Sequence, residues 1–223
     1  DITQLVVLID DLDRCLPETA IATLEAVRLF LQVPKTVFVV AADEAMIEYS
    51  VRRHFPELPI PAAGMTSFAR SYLEKLIQVP FRVPALGLAE TRAYVTLLLV
   101  GAAVGEADND FIKLLAAARE DLRRPWQSNG LDRKAVHKAL DGNIPPPIDE
   151  ALKVSEHISR QLTDGTRGNP RQIKRFLNSL MLRRAIAEER GFGGDIQTPV
   201  LAKIMLAERF LPEIGSESCR ERV

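Results

Sequence analysis

The sequence predicts an α/β fold, a partial parallel sheet, over residues 1–84, followed by an all-helical region over residues 85–223. Three observations carry this. Two short apolar runs, Leu5 to Ile9 and Thr36 to Ala42, are each followed by a helical stretch, the strand–helix alternation of an open α/β sheet. Strand signals stop after Pro84. From there helical periodicity continues to Leu211, interrupted by Gly- and Pro-containing loops.

Leu5 to Ile9 is continuous and apolar, the pattern of a strand buried on both faces. Pro17 then opens a helix running to Leu31, at a first-turn position that tolerates its missing N–H. Val33-Pro34-Lys35 is a turn, and Thr36 to Ala42 is the second buried strand. Asp43 suits the N-cap of a helix over 44–54. Pro56 to Gly64 reads as a loop, and Thr66 to Leu76 as a helix with Phe68, Tyr72, Leu73 and Leu76 on one face. Val79 to Pro84 reads as an edge strand and hinge, because Pro80 and Pro84 cannot donate to a central ladder. Further helices are expected at 89–103, 108–124, 132–140, 148–162, 170–190 and 198–211.

The bulk numbers exclude several classes. The 29 basic residues nearly cancel the 30 acidic ones, so charge does not point to nucleic acid as a partner. No apolar run approaches the ~20 residues that span a bilayer. Two cysteines, Cys15 and Cys219, make neither a disulfide framework nor a metal pattern, and fit a reducing, cytoplasmic compartment. Cys15 reads as a small buried packing residue rather than a reactive thiol.

The chemistry gathers at Ile9-Asp-Asp-Leu-Asp-Arg-Cys15. A parallel strand delivers its C-terminal end to the crevice where α/β proteins bind ligands. Apolar residues followed by two acids there match the Walker B pattern. Mg²⁺ takes hard oxygen ligands, and one or two carboxylates with nucleotide phosphates suffice. Asp10 would hold the metal or its water, and Asp11 would orient the attacking water. Asp13 and Arg14 sit on the turn beyond, near enough to adjust the site. The plainer reading is that Asp11 and Asp13 complement the helix starting at Pro17.

Together with three later segments, this string resembles the KAP family of P-loop NTPases. The segments are Phe38-Val-Val-Ala-Ala-Asp43, Tyr72-Leu-Glu-Lys-Leu-Ile-Gln-Val-Pro-Phe81 and Gly168-Asn-Pro-Arg-Gln-Ile-Lys-Arg-Phe-Leu-Asn178. The resemblance implies a nucleotide-binding core related to AAA+ and STAND ATPases, a helical lid, and ATP with Mg²⁺ as cofactors. It casts residues 1–84 as a partial NTPase core and 85–223 as the lid. No G-x-x-x-x-G-K-[ST] string occurs in these residues, although that loop supplies the donors and lysine that cradle phosphates. The chain starts at Asp1 without a Met and reads as the portion of the NTPase region from Walker B onward, expected to bind ATP poorly alone. Membrane attachment of a longer parent stays open. Bacterial members are associated with mobile elements and phage defence.

The same resemblance places Asp43 where relatives carry a polar sensor residue; an N-cap explains it equally. Gly168-Asn169-Pro170-Arg171 is a helix-start signature that sets Arg171 in a first turn. Relatives use an arginine there to reach the γ-phosphate, and a guanidinium fork suits that task. Lys174 and Arg70 are weaker candidates, each plausible as a plain surface cation. The expected activity is ATP hydrolysis driving a conformational or assembly switch. The alternative is a helical interaction module with a non-hydrolysing nucleotide site, whose partner is a protein or a second copy. An apolar strand edge left without neighbours near Leu5 to Ile9 would favour self-association.

Overall fold

The computed structural model describes residues 3–30, 33–57 and 68–210. The chain folds as two compact units, Asp1–Arg82 and Val83–Val223.

In the first unit, β1 (Leu5–Ile9) leads through a 3₁₀ turn at Leu12–Arg14 into α1 (Pro17–Phe30). β2 (Thr36–Val40) and α2 (Glu44–His54) follow, and α3 (Phe68–Leu76) comes after the undescribed residues 58–67. The strands pair in parallel from Leu5 opposite Thr36 to Ile9 opposite Val40. Backbone bonds extend the ladder at both ends, from Leu5 N–H to the Lys35 carbonyl at 2.8 Å and from Ala41 N–H to the Ile9 carbonyl at 2.8 Å. The connecting α1 makes this a strand–helix–strand crossover, the unit that parallel pairing requires. Leu12, Ala20, Leu24, Ile47 and Leu76 form the core, with Val40, Tyr72, Leu73 and Ile77 packed on it.

Two expectations are corrected here. The strands are not buried on both faces. Val7, Ile9, Phe38 and Val40 are half-buried, while Val6, Leu8, Val37 and Val39 alternate with them and are exposed, Leu8 to 75%. Helices cover one face, and nothing among the described residues covers the other. Val79 to Pro84 forms no strand. It has no ladder partner among the described residues, and Val79, Phe81 and Val83 are each more than four-fifths exposed. Arg82, in this stretch, instead pairs with Glu44 of α2.

The second unit is helical: α4 (Leu88–Val104), α5 (Asn109–Asp121), α6 (Arg133–Ala139), α7 (Pro146–Thr166), α8 (Pro170–Glu189) and α9 (Thr198–Phe210). α7 begins two residues earlier than the periodicity predicts, because Pro146 and Pro147 occupy first-turn positions that need no donor. It packs against α4, α8 and α9. The centre holds fully buried Val95, Val100, Leu114, Ile148, Leu152, Ile158, Leu162, Ile173 and Leu180. Buried hydroxyls satisfy one another, Thr96 of α4 with Ser155 of α7 at 2.8 Å and Ser155 with Ser159 within α7 at 3.3 Å. No helix among the described residues is long and apolar enough to cross a membrane.

Candidate nucleotide site

The pairing of Ile9 with Val40 sets the C-terminal ends of β1 and β2 side by side. Asp10 leaves the first strand directly, and Asp43 follows the second by three residues. Backbone geometry then separates the two adjacent acids. Asp11 adopts the left-handed region, φ 57° and ψ 25°. Its N–H donates to Asp10 Oδ1 at 2.8 Å, holding that carboxylate against the turn. The 3₁₀ turn closes with Arg14 N–H to the Asp11 carbonyl at 3.0 Å. Leu12, only 3% exposed, anchors the turn in the core.

The turn folds Arg14 back, and its Nε lies 3.1 Å from Asp11 Oδ1. The Asp11 side chain makes no capping bond to the 3₁₀ turn that follows it. Asp13 is half-buried and joins no ion pair among the described residues. Cys15 is exposed, not buried, because the turn points Leu12 inward in its place. Cys219 lies outside the described residues.

Asp43 caps α2, its Oδ1 accepting from Ala45 N–H at 2.9 Å and Met46 N–H at 3.2 Å. Arg70 of α3 pairs with Glu74 one turn on, Nε to Oε1 3.6 Å. The first unit therefore gathers Asp10, Asp11, Asp13, Arg14 and Asp43 along the ends of two strands. Among the described residues no three His, Cys, Asp or Glu side chains form a metal cage. One strand-end carboxylate is the donor set that suits Mg²⁺ completed by phosphates and water.

Arg171 and Lys174 belong to the helical unit. Asn169 caps α8, its Oδ1 accepting from Arg171 N–H at 3.0 Å and Gln172 N–H at 3.2 Å. Both cations are exposed on the first turns of that helix. What the sequence reading missed is how this corner is built. Arg167 and Gly168 are consecutive left-handed residues, at φ 51° and 65°. The Gly168 carbonyl accepts from Leu86 N–H at 2.9 Å, and a Cβ on Gly168 would land on the Leu86 backbone. The Gly-Asn-Pro-Arg string is thus a docking corner as well as a helix start. The Asp11–Arg14 pair was also missed, although its i,i+3 spacing was visible.

A family model described as the KAP family P-loop domain matches residues 2–187. Searches of curated proteins and of solved structures gave no match. With that match spanning most of the chain, from before β1 through nearly all of α8, the chain belongs to the KAP family of P-loop NTPases.

Proposed function

We propose that this chain carries the Walker B side of a KAP-type ATP site, coupling ATP binding and Mg²⁺-dependent hydrolysis to a conformational or assembly switch. The observation that carries the reading is the pair Asp10–Asp11 leaving the C-terminal end of a parallel strand, with their carboxylates already given different partners. Asp10 would hold Mg²⁺ or its water, and the bound metal would neutralise charge on the phosphates. Asp11 orients the attacking water as a general base. Asp43, with Oδ1 committed to its cap, keeps Oδ2 for a polar contact beside the terminal phosphate. Arg171 reports nucleotide state from the helical unit, which acts as a lid. Asp13, Arg70 and Lys174 are accessory.

The 223 residues hold no G-x-x-x-x-G-K-[ST] string. Taken alone they lack the backbone cradle for the phosphates, so strong turnover requires that loop from outside them. The test is Asp11→Asn in the full-length protein. Turnover should fall by about two to three orders of magnitude while ATP binding persists, the pattern of a lost transition-state interaction. Unchanged turnover overturns the reading.

A second reading has its own observation. Leu182 and Ile186 on α8, and Val200 and Ile204 on α9, are apolar pairs one turn apart that stay exposed, and Trp126 is 77% exposed. They suit a helical module that docks a protein partner while nucleotide is held rather than turned over. That module would be indifferent to Asp11→Asn.

A further inference from the structure

We propose that Arg14 is a positioning residue for Asp11, fixing which carboxylate oxygen faces the reacting water. This rests on the hydrolytic reading above and assigns a role that reading leaves open.

The local fold is built around this contact. Asp11 holds a left-handed conformation that non-glycine residues adopt uncommonly. Three features hold it there: the bond from its N–H to Asp10, the 3₁₀ bond from Arg14 N–H to its carbonyl, and the burial of Leu12 between them. The outcome is a guanidinium 3.1 Å from Asp11 Oδ1.

Two details make the pair selective. Arg14 has two acids within reach in sequence, Asp11 and Asp13, and only Asp11 is paired with it. The contact also uses a single oxygen. The approach is between Nε and Oδ1, which makes Oδ2 the oxygen we assign to the water. A carboxylate that orients water must present one oxygen in a narrow range of directions. A side chain on a turn does not hold such a direction by itself, and a cation paired beside its other oxygen narrows it.

Both partners are more than half exposed, so the pair adds little to stability. Removing Arg14 should therefore disturb orientation without unfolding the unit.

The experiment measures kcat and the affinity for a non-hydrolysable ATP analogue in full-length protein carrying Arg14→Ala, Arg14→Lys, Asp11→Asn, or Arg14→Ala with Asp11→Asn. The inference expects Arg14→Ala to lower kcat on the order of tenfold with affinity unchanged. Arg14→Lys should restore part of the loss. In the Asp11→Asn background, Arg14→Ala should cost nothing more, because the residue acts only through Asp11. The same loss in both backgrounds overturns the inference, as does full activity of Arg14→Ala while Asp11→Asn is impaired. A fall in affinity matching the fall in kcat overturns it too, since Arg14 would then contact phosphate. If Asp11→Asn itself turns over normally, the hydrolytic reading fails and the inference falls with it.

Discussion

Asp11 and Gly168 show opposite uses of the left-handed backbone. At Asp11 the conformation separates two neighbouring carboxylates and sends one to Arg14. At Gly168 it clears space for another stretch of main chain. Adding a methyl group there both strains φ and drives Cβ onto the Leu86 backbone. Gly168→Ala should destabilise the helical unit by about 2 kcal/mol or more, seen as a lower denaturant midpoint followed by helical circular dichroism. An unchanged midpoint would show that the Leu86 contact does not hold the corner. These residues also mark what the sequence made legible. Acids after an apolar run, and Asn-Pro at a helix start, are local signals. The Leu86–Gly168 approach joins positions far apart in sequence and leaves no periodic trace. The exposure of Cys15 was misread because composition favours burying a cysteine, whereas the turn gave the inward place to Leu12.

At the scale of elements, the helices were the most legible part. The caps explain why: Asp43, Asp108, Asp132 and Asn169 each accept from backbone N–H groups where a helix begins. The strands were legible as elements but not in their burial, because an apolar run records what a strand can cover, not what covers it. Val79 to Pro84 has the composition of an edge strand and no ladder to join among the described residues.

One inter-helix junction has a pH signature. Asp149, in the first turn of α7, takes Lys153 Nζ on one oxygen at 2.8 Å and Arg133 Nη1 of α6 on the other at 2.6 Å. The hydrogen bond from Lys153 first, then that from Arg133, lowers its pKa below the ordinary 3.8. A carboxyl depressed in the folded state contributes stability above its unfolded pKa and loses it as pH falls through the folded value. Asp149→Asn should therefore lower the thermal midpoint near neutral pH. The difference from the parent should close in acid, below the ordinary carboxylate range. A gap that stayed constant from neutral to strongly acid pH would assign the effect to packing instead.

For the whole molecule, the candidate residues fall in both units. The sheet unit carries the carboxylates, and the helical unit carries Arg171 and Lys174 on a capped helix. Membership of the KAP family was legible because its signals are short and local. The sequence does not separate the proposed nucleotide roles of Asp43 and Arg171 from structural ones, since an N-cap and a first-turn cation look the same in either case. The central claim is that Asp10 serves a metal–nucleotide site. Its most direct test is ATP binding by the full-length protein, with and without Mg²⁺, in the parent and in Asp10→Ala. The parent should bind about tenfold or more tightly with Mg²⁺, and Asp10→Ala should lose that gain while keeping its metal-free affinity. Equal Mg²⁺ dependence in the two proteins, or no ATP binding by the parent, would contradict the claim.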